Sequence, residues 1–182
     1  MNIICITGKR GCGDALSEFT EKSHLPFNFM ASPANYSQPV RHGIKLAHQH
    51  ALNVAKKNGI DQSIIVEDDV ELTSTRSLDY FIESAKVARE CEYDIIVGGA
   101  HHYERTKRGA KKLSGMHFYM VLNPDVDFAD CPKSEHIDNW VGRNYKVWVC
   151  SPMIAIQRPG WSEHRKIDVD YSELFGKYEV LR

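Results

Sequence analysis

The sequence predicts a single α/β domain over residues 1–182, with a mostly parallel central sheet flanked by helices. Three observations carry this expectation. Short Ile- and Val-rich runs, fit for strands buried on both faces, recur at residues 3–7, 63–66 and 93–97. Segments with apolar residues at helical spacing lie between them. Glycine or polar clusters close each run, and strands alternating with helices are the signature of a layered α/β fold.

In chain order, residues 3–7 read as the first buried strand. It runs into the basic, glycine-rich turn Gly8-Lys9-Arg10-Gly11-Cys12-Gly13. Residues 15–22 fit a short helix and 27–30 a short strand. Ser37 stands as an N-cap with Pro39 in the first turn of the next helix. Val40, Ile44, Ala47, Ala51 and Val54 mark its buried stripe. Lys56 and Lys57 suit the negative end of its dipole, and Asn58-Gly59 stops it. The run from Ser63 to Val66 follows directly. Leu78, Phe81, Ile82, Ala85 and Ala88 form a second helical stripe, with Ser74, Thr75 or Ser77 as its cap. Residues 93–97 form a strand stopped by Gly98-Gly99. Residues 101–112 are polar and basic and read as a mobile loop. Residues 116–122 make a strand, 135–141 a short helix, and 145–150 a strand broken at Ser151-Pro152 and extended over 154–157. The tail from Arg158 onward is polar, with Trp161, Tyr171 and Phe175 as aromatic anchors.

A chain of 182 residues with net charge −1 presents no global field to draw it to nucleic acid or an anionic membrane. Five scattered cysteines, an odd number with no CxxC pair, argue for thiols in a reducing compartment rather than a disulfide scaffold or a zinc site. Cys5, Cys91 and Cys150 sit in or beside apolar segments and read as small buried hydrophobes. The first residues lack a basic start and a long apolar region. No segment reaches the roughly 20 apolar residues of a membrane span. A cytoplasmic location is the expectation.

The densest chemical signal is Ile64-Ile65-Val66-Glu67-Asp68-Asp69-Val70. Three carboxylates at the end of a buried strand repel one another unless a cation or hydrogen-bond donors compensate them. In extended geometry Glu67 and Asp69 point to one face and Asp68 to the other. The pair presents hard oxygen ligands to Mn²⁺ or Mg²⁺. A solvated acidic turn or a helix cap is the plainer alternative.

The segment Gly43-Ile44-Lys45-Leu46-Ala47-His48-Gln49-His50-Ala51-Leu52, followed by Ile64 to Val70, resembles glycosyltransferase family 25, which contains lipopolysaccharide and collagen sugar transferases. That family pairs a Gly…Ser-His…Ala-Leu helix with a Leu-Glu-Asp-Asp-Val strand end; this chain has Ala47-His48 in place of Ser-His. Weaker similarity continues through Ser114 to Val121, His136-Ile137-Asp138-Asn139-Trp140, and Cys150 to Gln157 with Ser162 beyond, where Glu163 replaces an aspartate. The resemblance implies a GT-A-like fold, a nucleoside diphosphate sugar as donor, and Glu67-Asp68-Asp69 in the place of a DxD metal motif.

Under that reading Glu67 and Asp69 hold Mn²⁺ or Mg²⁺ and Asp68 meets sugar or ribose. His164 supplies a late metal ligand, or is a surface histidine. Asp138 is the candidate base for an acceptor hydroxyl in an inverting transfer, with Glu135 in reserve; a helix cap is the alternative for Asp138. Thr7, Gly8, Lys9 and Arg10 follow the first strand, where backbone and basic groups can meet phosphate; a plain strand-to-helix turn is the alternative. Arg41 lies near a helix start and can face substrate. His48 borders the apolar stripe and reads as a packing residue that positions the acidic turn. His101 and His102 stand where they can line a cleft. Arg105, Lys107, Arg108, Lys111 and Lys112 can close over a diphosphate, greet an acidic acceptor, or simply form a solvated face. The acceptor is a glycan, a glycolipid or, as for some phage enzymes, modified DNA. A non-catalytic sugar-nucleotide or protein-binding module of the same fold is the reading from a different class.

Overall fold

A computed structural model describes residues 1–8, 11–60, 63–107, 109–162 and 165–182. The apolar runs form β1 (Asn2–Thr7), β2 (Asn28–Pro33), β3 (Ser63–Glu67), β5 (Ile95–Val97), β8 (Phe118–Val121) and β9 (Val147–Val149) of one six-stranded sheet. Their spatial order is β2-β1-β3-β8-β5-β9. β1 pairs parallel with β2 and β3, and β5 pairs parallel with β9. β8 runs antiparallel to both β3 and β5. The sheet is therefore mixed rather than purely parallel, with one reversed strand near its middle.

Alternation along each strand sorts side chains onto two buried faces. Ile3, Cys5, Ile64, Val66, Ile96 and Phe118 pack against α1 (Gly13–Lys22) and α3 (Ser77–Glu90). Ile4, Ile6, Ile65, Val97 and Tyr119 pack on the other face against α2 (Val40–Lys57) and α4 (Ile137–Asn144). Glu67 continues the Ile65 parity, so its carboxylate emerges on the α2 side. That single fact of register places the acidic strand end beside His48.

α2 begins one residue after Pro39, and no side chain caps it; the Ser37 amide is instead held by Asn35 Oδ1 at 2.9 Å. Its end is the one the sequence predicts, with Lys56 and Lys57 in the last turn, Asn58 as C-cap and Gly59 at φ +83°. Gly43 sits where the chain crosses the helix: a Cβ there would lie 2.3 Å from the Asn35 carbonyl oxygen. The absent side chain lets residues 34–38 lie against α2 and form a rim.

Residues 101–112 do not make the expected loop. They contribute most of a two-stranded hairpin, β6 (His102–Thr106) with β7 (Gly109–Ser114), anchored by Ala110 and Leu113 in the core. The short strands β4 (Val70–Leu72) and β10 (Ala155–Gln157) pair antiparallel and place Gln157 opposite Val70. The polar tail folds into the hairpin β11 (Gly160–Ser162) and β12 (Ile167–Val169), then the one-turn α5 (Ser172–Phe175). Cys91, read as buried, is exposed at the end of α3, while Cys5 and Cys150 are buried. No helix among the described residues is long and apolar enough to cross a membrane.

Candidate functional site

A cavity of about 750 Å³ opens at the ends of β1 and β3, on the α2 side of the sheet. Its walls come from segments far apart in sequence. Gly8 follows β1, and Glu67, Asp68 and Asp69 follow β3. Arg41, Ile44 and His48 share one face of α2, Asp138 lies in the first turn of α4, and Gln157 ends β10. The rim is residues 34–38 on one side and Trp161, Ser162, Arg165 and Lys166 on the other. The volume suits a ligand of several hundred daltons, and pockets with convergent polar groups at strand ends are the usual binding sites of α/β folds.

Each carboxylate on the floor has a specified neighbour. Asp68 Oδ2 accepts a hydrogen bond from the Gly8 amide at 2.7 Å, tying the acidic turn to the end of β1. Glu67 Oε1 lies 3.3 Å from His48 Nε2, and His48 Nδ1 lies 3.0 Å from the Tyr119 hydroxyl. Gln157 Nε2 donates to Asp69 Oδ2 at 2.8 Å and to Glu67 Oε2 at 3.2 Å. Asp138 Oδ2 accepts from the Gly115 amide at 2.8 Å. β3 ends at Glu67 and Asp68–Asp69 form a turn, so strand alternation does not extend to Asp69; one amide nevertheless reaches both Glu67 and Asp69.

The electrostatics follow from this crowding. Burial pushes Glu67 up to about 8, with the Asp138 and Asp68 carboxylates adding to the rise. Burial pushes His48 down to about 4 against the pull of Asp138, so its ring is neutral at pH 7. Tyr119 is raised by burial, then by Glu67 and Asp138. A neutral imidazole has one N–H and one lone pair. If Tyr119 donates to Nδ1, Nε2–H is left to hold Glu67. Beside this chain, His101 stacks on Tyr171 with ring centroids 4.4 Å apart. Burial lowers His101 to about 4, the Gln157 side chain opposing and Arg165 adding to the fall.

Of the residues expected from sequence, Gly8, Arg41, His48, Glu67, Asp68, Asp69, His101 and Asp138 line this one cavity. Thr7 is not in its wall; it ends β1 with its hydroxyl directed to the Ser32 carbonyl. Glu135 is corrected as a reserve base: it precedes α4, lies outside the cavity and pairs with Arg143. His102 is also corrected, being exposed on β6 rather than in the cleft. Lys9, Arg10, Arg108 and His164 lie outside the described residues. Gln157, Tyr119, Trp161, Arg165 and Lys166 were not expected at the site. The hint for Gln157 was its place at the end of the Cys150–Gln157 segment that carries the weaker resemblance, whereas Tyr119 reads locally as an ordinary core residue.

Among the described residues, no three His, Cys, Asp or Glu side chains form a metal-binding group. The donor chemistry still fits a hard divalent cation, since Glu67 and Asp69 present oxygens to a common point that an amide N–H₂ group now reaches.

No family profile matches the chain, and no curated protein matches it. Its fold is similar to a solved structure titled "Crystal Structure of A197 from STIV", with TM-score 0.56 and 14% identity, over 100% of this chain and 96% of that one. At that identity the likeness concerns the fold alone.

Proposed function

We propose that this chain is a GT-A-like glycosyltransferase that moves a sugar from a nucleoside diphosphate sugar to an acceptor hydroxyl. The observation that supports it best is the meeting of Glu67, Asp68 and Asp69 with Asp138 across one cavity at the strand ends. A diphosphate sugar carries negative charge at one end and an electrophilic anomeric carbon at the other. Arg165 and Lys166 on the rim supply positive charge for the diphosphate. Bound at Glu67 and Asp69, Mn²⁺ or Mg²⁺ would supply neutralisation of the charge on the departing diphosphate. Asp68, held by the Gly8 amide, faces the donor's sugar or ribose. Asp138 stands opposite, one oxygen fixed by Gly115 and the other left for an acceptor hydroxyl. In a single displacement that hydroxyl attacks the anomeric carbon while Asp138 takes its proton. The bond to the diphosphate breaks with its electron pair leaving on oxygen.

A thermal-shift screen of nucleoside diphosphate sugars, with and without Mn²⁺, tests this. A ligand at about 100 times its Kd stabilises by about 2.7 kcal/mol, or about 5–10 °C for a chain of this size. Asp69→Asn should abolish Mn²⁺-dependent turnover of the responding donor. Unchanged turnover would refute the reading. Donor binding with neither transfer nor hydrolysis would favour a non-catalytic module.

The β6–β7 hairpin favours an anionic acceptor. Arg105, Lys107, Lys111 and Lys112 lie along it, and it leads into Ser114, Gly115 and Met116 in the cavity wall. Modified DNA is one such acceptor. Salt-sensitive DNA binding that disappears when these four residues are neutralised would support it.

A further inference from the structure

We propose that Gln157 is a third oxygen ligand of the divalent cation, brought to bear by a half-turn of its side-chain amide. The inference rests on the reading of Glu67 and Asp69 as cation ligands. The third donor would be an amide oxygen, and hard cations accept Asn and Gln carbonyls readily.

Gln157 is 9% exposed and lies in the cavity wall. Its nitrogen sits 2.8 Å from Asp69 Oδ2 and 3.2 Å from Glu67 Oε2, one N–H₂ group serving two carboxylates. The other end of the same amide is unsatisfied. Gln157 Oε1 and His101 Nε2 are both buried without a hydrogen-bond partner among the described residues, although the Gln157 side chain still favours a proton on the neighbouring His101 ring. A buried acceptor left unpaired costs about 1–3 kcal/mol.

A half-turn of the amide exchanges oxygen for nitrogen with little change of shape. It brings the unpartnered Oε1 to the carboxylate pair, where it would join them around a cation. The same turn would complete a three-oxygen ligand set. β10 holds the side chain in place: Gln157 pairs with Val70, the first strand residue after Asp69.

The test is Mn²⁺ binding followed by loss of the free-ion EPR signal, needing no turnover. Gln157→Met keeps the length and removes the amide. Its Kd should rise by at least about tenfold, the loss expected even for groups that only orient a ligand. Gln157→Glu separates the two roles. A ligand oxygen is kept, so affinity should stay within about threefold of wild type or improve, since a carboxylate is an equally good hard donor. A residue acting only as a hydrogen-bond donor to the two carboxylates would instead lose binding in both variants, and that result would overturn the proposal. Wild-type affinity in Gln157→Met would overturn it too. Asp69→Asn is the control for the underlying site. If Asp69→Asn binds Mn²⁺ as wild type does, or wild type binds none, the cation site itself is wrong. Loss in Asp69→Asn with retention in Gln157→Met leaves the site standing and removes only Gln157. Should Gln157→Met fail to fold by circular dichroism, Gln157→Glu decides alone.

Discussion

Replacing Glu67 by Gln should flatten the alkaline side of the protein's stability profile in metal-free buffer. Glu67 has its native value at about 8 against an ordinary 4.5, so between those values the folded protein holds a proton that the unfolded chain has released. Stability must then fall as pH rises through this window. His48 and His101, near 4, and His117, near 3, act with the opposite sign: their ordinary value is 6.5, so the unfolded chain binds protons there that the native rings refuse. Their contribution is complete above pH 6.5 and is lost as pH falls toward 4. Above pH 6.5 only Glu67 operates among these four. One proton is worth about 1.4 kcal/mol per pH unit, which gives an upper bound of about 2 kcal/mol lost between pH 6.5 and 8. For a chain of this size that is about 4–8 °C in Tm. Below pH 6.5 the lowered histidines, His42 among them, outnumber the one raised carboxylate, so wild-type stability should peak near pH 6.5. In Glu67→Gln the alkaline limb should become level and the acid limb steepen. Differential scanning calorimetry in EDTA at half-unit steps from pH 5 to 8 measures both limbs. An alkaline limb that keeps its slope in Glu67→Gln would refute the assignment of the raised group.

Asp138→Asn should lower kcat by about 10²–10⁴ while leaving donor binding by thermal shift unchanged, because the acid meets the acceptor and not the nucleotide; equal loss of binding would count against a base. Gly99→Ala should destabilise by at least about 1–3 kcal/mol in urea unfolding, since its Cβ would stand 1.9 Å from the Ala155 carbonyl oxygen and β10 must retreat. Mn²⁺ affinity should fall with it, as Gln157 ends that strand. Phe118→Ala should cost about 3–5 kcal/mol, because a fully buried ring 4.8 Å edge-on from Phe81 and stacked on Phe19 leaves a cavity with rigid walls.

The parts of this molecule that were legible from sequence are those in which a residue's environment depends on its near neighbours. Ala47 and Ala51 of the expected stripe lie on the buried face of α2, with Ile44 and Val54 only partly buried at its edge, and spacing alone puts His48 next to that stripe. Alternation along Ile64, Ile65 and Val66 is enough to set the side of the sheet on which Glu67 emerges. The reversed direction of β8 is of another kind: residues 116–122 read equally well as a parallel or an antiparallel strand, and the choice is made by partners at Ile64 and Ile96. The charged hairpin β6–β7 was hidden because few of its side chains are buried, so the alternation that marks a strand is missing. Glu135 and Asp138 differ by three positions, yet one lies before α4 with Arg143 in reach and the other enters the cavity. Their roles separate only when the first turn of that helix is placed. The same argument applies to the chain of contacts at the site itself. Tyr119 is 71 residues from His48, and Gln157 is 88 from Asp69. Both lie in segments of the weaker resemblance, but a tyrosine in a buried strand and a glutamine at the end of a three-residue strand also have ordinary explanations. What makes them functional candidates is their partners: Tyr119 meets His48, which reaches Glu67, and Gln157 meets the Glu67 and Asp69 carboxylates directly. The acidic strand end could be read as charge in need of compensation; the identity of the compensating groups is a property of the closed fold.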